Sequence, residues 1–158
     1  MQIDMKRRTL LKGSLAASAL GVAVGAGLLT PKAVLAAWPE SAFKAKKTEE
    51  ALTNLHGSNV LTDSAEVNIK APDIAENGAV VPITVSSDLT GIEAIAIVAP
   101  NNPTPLVANF NLGEAATGFV STRIKMGKTS DVIAVVKAGG KLYSARKEVK
   151  VTVGGCGG

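Results

Sequence analysis

The chain has 158 residues, with 17 Lys and Arg against 13 Asp and Glu, a formal net charge of +4, one cysteine and one histidine. The positive excess belongs to residues 1–36, which hold five of the basic residues and one acidic residue, so the rest of the chain is formally neutral. A neutral domain lacks the basic surface typical of nucleic-acid binding. One cysteine and one histidine also make a Cys-His nucleophile pair or a zinc site hard to assemble.

The first 36 residues have the features of an export signal: a basic start, an apolar run over 13–29, and small residues at Ala36 and Ala37. Arg7 and Arg8, followed by Thr-Leu-Leu-Lys, resemble the twin-arginine signal that exports folded proteins. A membrane anchor is the weaker alternative, because Gly, Ala and Ser supply most of the apolar run. We therefore predict a cleaved signal over 1–36, a periplasmic protein and no stable membrane anchor.

After the signal, residues 41–57 predict a short helix, since Phe43, Lys47, Ala51 and Leu55 recur at helical spacing and Gly57 is a plausible C-terminal stop. His56 lies just before that stop. We interpret it as a helix-end residue rather than a general base. The carboxylates show no pairing that would suggest acid–base catalysis.

From Ser64 onward the apolar residues alternate with a period of two, which indicates β-strands. Asn77-Gly78 and Gly139-Gly140 are hairpin signals, and the prolines of "PNNPTP" predict a loop. "GIEAIAIVA" is apolar enough to be buried on both faces. Seven strand segments follow in order: "AEVNIKAP", "AVVPITV", "GIEAIAIVA", "LVANFNLG", "FVSTRIKM", "DVIAVVK" and "KLYSARKEVKVTV".

Seven short strands with Gly, Asn and Pro turns predict an all-β protein, an antiparallel sandwich of immunoglobulin-like type over residues 37–153 with a short N-terminal helix. The disulfide and buried tryptophan of antibody domains are absent from this pattern. Because many functions share such a sandwich, the fold alone does not identify the activity.

The C-terminal sequence "VTVGGCGG" places the single cysteine, Cys156, between pairs of glycines. Residues 154–158 are therefore predicted to form a thin, flexible arm, with Gly154, Gly155, Gly157 and Gly158 supplying the flexibility. Counted from Val153, Cys156 reaches roughly 10 Å outward. A frayed terminus is the plain alternative, but an exposed unpaired thiol in an oxidising compartment is a liability unless it is used.

Several segments resemble the SoxY family, a subunit of the SoxYZ carrier of bacterial thiosulfate oxidation. They are the twin-arginine leader, "AENGAVVPITV", "NNPTPLVANFNLG", "STRIKMGKTSDVIAVVKAGGKLY" and "VKVTVGGCGG". The resemblance implies a carrier rather than an enzyme, with sulfur intermediates bound covalently to Cys156. It implies a heterodimer with SoxZ and three enzymes that act on the arm: the SoxAX c-type cytochrome, the SoxB hydrolase and, in some systems, the SoxCD sulfur dehydrogenase. No cofactor and no metal are expected beyond the covalently bound sulfur.

Two other functions stay open from the residues alone. A structural periplasmic module could use Cys156 to form a disulfide between subunits. A ubiquitin-like sulfur carrier ends in Gly-Gly, as Gly157-Gly158 does, but the strand pattern and the export signal do not fit that class. The sequence leaves the preferred sulfur substrate, the SoxZ interface and the presence of a sulfur dehydrogenase undetermined.

Overall fold

The structure is a computed structural model that describes residues 38–152, and within it Pro39 begins the compact unit that holds the β domain. Two helices come first, α1 (Glu40–Lys44) and α2 (Thr48–His56). Nine strands follow: β1 (Leu61–Asp63), β2 (Val67–Lys70), β3 (Ile74–Ala75), β4 (Val81–Ser87), β5 (Ile92–Val98), β6 (Leu106–Asn111), β7 (Phe119–Ile124), β8 (Ser130–Ala138) and β9 (Lys141–Val151).

The strands form two sheets that face each other. The larger sheet has the order β1-β9-β8-β5-β6, with the two-residue β3 also pairing with β9, and the smaller sheet has the order β2-β4-β7. All the pairings between longer strands are antiparallel, whereas β1 and β3 run parallel to β9. The predicted immunoglobulin-like sandwich is confirmed, and the seven predicted segments correspond to β2 and β4 through β9.

The main core lies between the two sheets and follows the alternation of the sequence. Val81, Ile83 and Val85 of β4 are fully buried, while Pro82 between them is exposed. Ile95 and Ile97 of β5 meet them from the larger sheet in the same cluster. This burial of aliphatic side chains is the main source of stability for the sandwich.

A second core lies on the outer face of the larger sheet, where the helices pack. Leu52 of α2 is buried with Val98 of β5 and Val135 of β8. Because β5 and β8 contribute to both cores, each is buried on both faces. This confirms the interpretation of "GIEAIAIVA" and gives the β domain three layers: the helices, the larger sheet and the smaller sheet.

The prediction of a single helix over residues 41–57 is corrected by the structure, which has two helices there. Residues 45–47 separate them, because Ala45 and Lys47 both have extended backbone, with ψ of 144° and 145°. The buried residues of this region are alanines and Leu52, and Lys47 is exposed. The predicted stop is confirmed: Gly57 has a φ of 77°, and its N–H donates to the carbonyl of Thr53, an αL C-cap that glycine adopts without a steric penalty.

Two details of the strand prediction are corrected by the structure. Asn77-Gly78 does form a turn, closed by the Val80 N–H donating to the Asn77 carbonyl at 3.3 Å, but it is not a tight β2–β4 hairpin, because β3 lies between those strands. In β6, a register shift separates Leu106 from Ala108. Leu106 therefore joins the helix-side core and not the side of Ala108 and Phe110.

Candidate functional site: the root of the C-terminal arm

The predicted arm residues Gly154, Gly155, Cys156, Gly157 and Gly158 lie outside the described residues, as do the signal arginines Arg7 and Arg8. The structure does describe the place where the arm begins. We call residues 150–152 the arm root: the last two residues of β9 and Thr152, the last described residue.

The arm root is held by hydrogen bonds on two sides. On one side, the arm root pairs with the short parallel strand β3 and with the residue that precedes β3. The Lys150 N–H donates to the Asp73 carbonyl at 3.0 Å, and the Thr152 N–H donates to the Ala75 carbonyl at 3.2 Å. On the other side, the Val151 N–H donates to Thr129 Oγ1 at 2.9 Å. The chain is therefore fixed as far as Thr152.

Gly78 packs directly against the arm root. A Cβ at this position would overlap the carbonyl oxygen of Met126 and come within 2.8 Å of Val151 Cγ1. The Met126 N–H also donates to the Gly78 carbonyl at 2.7 Å. The turn after β3 thus lies in close contact with both the arm root and the residues that follow β7.

The segment between β7 and β8, residues 125–129, connects the arm root to the proline-rich loop that follows β5. Asn102 joins them through its side chain, donating from Nδ2 to the Lys125 carbonyl at 2.7 Å and accepting the Gly127 N–H at 3.0 Å. Asn101 Nδ2 donates to the Thr129 carbonyl at 2.8 Å. The loops around the arm root are therefore bound to one another.

Charged side chains lie within the arm root and on both sides of it. Lys128 precedes Thr129, Lys150 precedes Val151, and both lysines are exposed. Asp73 forms an ion pair with Lys147 at 3.1 Å, and Glu76 is an exposed acidic neighbour after β3. Such exposed charges add little to stability, but they set the local potential around the arm root.

Other candidate chemistry is not brought to this place. His56 ends α2 and lies near the β8–β9 turn, at the opposite end of β9. Within residues 38–152, no group of three His, Cys, Asp or Glu side chains could hold a metal ion. No helix in that part of the chain has the length and apolar character needed to cross a membrane.

His56 has a structural environment with a measurable consequence. Burial and the nearby Lys137 charge lower its pKa, against the opposing effect of Glu93, and its buried Nε2 has no hydrogen-bond partner within the described chain. The unfolded chain therefore binds a proton at higher pH than the folded chain does. We expect the free energy of unfolding to fall as the pH drops below about 6.5, the ordinary histidine value.

This expectation is tested by urea unfolding at pH 7.5 and 5.5 on the wild type and on His56→Gln. The Glu93 carboxyl, whose pKa is lowered by hydrogen bonds from Lys137 and from the Gly140 N–H, stays ionised over that interval. The wild type should lose more stability than the variant. Equal losses in both proteins would contradict the assignment to His56.

Sequence reasoning did not identify β3, Thr129, Gly78 or the two asparagines as neighbours of the arm. Their contacts join residues 22 to 77 positions apart, such as Val151 with Thr129 and Thr152 with Ala75. One available signal was the pair Asn101-Asn102 within a loop of three prolines, because asparagine side chains commonly bind loop backbone.

The chain is similar to proteins of known family and structure. The family model described as "Sulfur oxidation protein SoxY" matches residues 52–156, which include position 156. The sulfur carrier protein SoxY from Chlorobium limicola f thiosulfatophilum is 45% identical, with a TM-score of 0.62, covering 68% of this chain and 97% of its own. A superoxide reductase (neelaredoxin) from Ignicoccus hospitalis is 21% identical, with a TM-score of 0.49, covering 54% of this chain and 80% of its own. Among proteins with curated descriptions, none matches.

Proposed function

The chain belongs to the SoxY family of sulfur oxidation proteins, and from that premise we propose that it carries sulfur intermediates covalently on Cys156. The family is one of carriers, and this chain is a carrier and not an enzyme. The observation that carries the proposal is the family match through position 156, the single cysteine of the sequence.

The loading reaction follows from thiol chemistry. Cys156 loses its proton as its sulfur bonds to the terminal sulfur of thiosulfate, giving a cysteine S-thiosulfonate. The two sulfurs together lose two electrons, which go to a c-type cytochrome. Water then attacks the sulfone sulfur, releasing sulfate and two protons and leaving a persulfide anion on Cys156. The thiolate is the reactive form of cysteine, and this role needs no cofactor on the carrier.

The described domain supports this role by fixing the point from which the arm starts. Cys156 follows Thr152 by four residues, so its greatest reach from that anchored residue is about 13 Å. A short arm on a fixed root samples a small volume, which raises the effective concentration of its cargo at a docked active site. Glycine on both sides of Cys156 keeps the arm narrow enough for a buried cleft.

We place this carrier in the periplasm, exported through the twin-arginine signal at Arg7 and Arg8, as a heterodimer with SoxZ. The supporting observation is the leader sequence itself, since this route transports folded proteins. A SoxZ subunit without its own signal could then cross the membrane bound to this chain. The enzymes acting on the arm would be SoxAX, SoxB and, where present, SoxCD.

Mass spectrometry tests the proposal directly. After incubation with thiosulfate and the oxidising cytochrome, the intact protein should gain the mass of one S2O3 unit, localised to the C-terminal peptide and removed by a thiol reductant. Protein alkylated at Cys156 beforehand is the control and should gain nothing. A disulfide-linked dimer as the sole product, unchanged by thiosulfate, would instead support the structural module and contradict the carrier.

A further inference from the structure

A cleft of about 430 Å³ opens at the same end of the sandwich as the arm root. Its lining is mainly apolar, and Lys125 is the one charged side chain among the described residues that line it. The lining residues are Phe43, Asn102, Pro103, Thr104, Leu106, Val107, Lys125 and Gly127.

The walls of the cleft are fixed before anything binds. Asn102 holds Lys125 and Gly127 on one wall through its side chain, and its own N–H donates to the Ala99 carbonyl at 3.0 Å. Leu106 is 2% exposed and anchors the floor in the helix-side core. A preformed cleft loses little conformational entropy on binding, which favours its use as a docking site.

The cleft is also connected to the arm root through a single short segment. Lys125 and Gly127 line the cleft, and Thr129, two residues later, accepts the Val151 N–H at 2.9 Å. Whatever docks in this cleft therefore lies at a fixed distance from the start of the arm.

Specific recognition of the carrier has to come from the domain surface. The arm has one side chain, that of Cys156, among glycines. A single thiol gives an enzyme few contacts by which to distinguish this carrier from other thiol-containing proteins. An arm that reaches about 13 Å beyond Thr152 also requires an enzyme that receives it to contact this end of the sandwich.

Resting on the proposed function, we propose that the cleft is the docking site for the enzymes that act on the arm. The occupant is an apolar side chain of the enzyme surface, bordered by a carboxylate that pairs with Lys125. Charge supports this choice: Lys125 is exposed, Lys128 extends the positive surface towards the arm root, and no acidic side chain lines the cleft. Complementary charge favours encounter and orientation, while a buried apolar anchor supplies affinity.

The test uses the SoxYZ heterodimer as the varied substrate in thiosulfate-dependent reduction of the partner cytochrome. Thr104→Trp fills the cleft, and Lys125→Glu reverses its charge. We expect each variant to raise KM at least about tenfold, a change equivalent to about 1.4 kcal/mol, with kcat nearly unchanged. Lys125→Glu should also weaken the dependence of kcat/KM on salt.

Matched controls carry the same substitutions at the opposite end of β9. Thr62→Trp and Lys141→Glu alter residues that line a second cavity of about 340 Å³ there, and both should keep the wild-type KM. Thermal unfolding of all four proteins identifies any loss of folding. Since Lys125 is exposed, Lys125→Glu should fold, and it still tests the proposal if Thr104→Trp does not fold.

Two results would overturn the docking proposal while leaving the carrier function intact. In the first, Cys156→Ser loses turnover but both cleft variants keep the wild-type KM. In the second, the cleft variants fail to assemble with SoxZ, which assigns the cleft to the subunit interface. Full turnover by Cys156→Ser would contradict the carrier function itself.

Discussion

Cys156→Ser should abolish thiosulfate-dependent cytochrome reduction while leaving the fold unchanged. Serine has nearly the same size, but its oxygen cannot form the sulfur–sulfur bond on which loading depends, and its hydroxyl is not ionised near neutral pH. The measurement combines the turnover rate, intact mass after incubation with thiosulfate, and the unfolding midpoint. The midpoint should match the wild type, because serine is close to cysteine in size and the position follows the last strand, β9, which ends at Val151.

A relocated thiol provides the control for position. The double variant Cys156→Ser, Thr117→Cys keeps one cysteine but places it on an exposed loop between β6 and β7. We expect it to remain inactive, because the thiol is then no longer carried by the glycine arm. Normal turnover by the single variant would contradict covalent carriage on Cys156, and recovery by the double variant would contradict the role of the arm.

The long strands could be predicted because the pattern of apolar and polar residues along each strand indicates which of its faces are buried. In β4 every second side chain enters the core, and in β5 the run is apolar because both faces are covered. β1 and β3 have three and two residues, too few to show a period. These two short strands form because β9 supplies their hydrogen-bonding partners. The residues near each strand in the sequence do not indicate that pairing.

In the functional site too, one part could be predicted from the local sequence and another part could not. Cys156 could be singled out from the sequence because a lone thiol among glycines is unusual chemistry for a chain with a predicted export signal. The contacts of the arm root could not be predicted from the sequence, because they form only when the fold brings Thr129 and Ala75 next to β9. The register shift beside Val107 is a further example: it moves Leu106 to the other face of the sheet, and one inserted residue in a strand leaves no clear compositional mark.

Gly78 shows how a correct turn signal can conceal a second requirement. Asn77-Gly78 suggested a turn that needs glycine for its backbone conformation, and a turn does form there. Yet Gly78 is not among the glycines with positive φ in the described chain. Glycine is required at this position for steric reasons, because Met126 and Val151 occupy the volume that a side chain would fill.

Gly78→Val should therefore destabilise the protein by roughly 3 kcal/mol, at the upper end of typical overpacking costs. The new side chain must displace either the Met126 carbonyl or Val151, and Val151 belongs to the arm root. Urea unfolding measures the loss. The matched control is Gly113→Val, since Gly113 also lacks a positive φ and has no atom within 4 Å of a Cβ.

The control should retain the wild-type free energy of unfolding to within about 0.5 kcal/mol, as surface substitutions usually do. If Gly78→Val were equally harmless, the close packing of the turn against β9 would be wrong. Because Gly78 touches the residue that precedes Thr152, a folded but loosened variant should also lose hydrogen-exchange protection at the Val151 N–H. That loss would tie the stability of the turn directly to the anchoring of the arm.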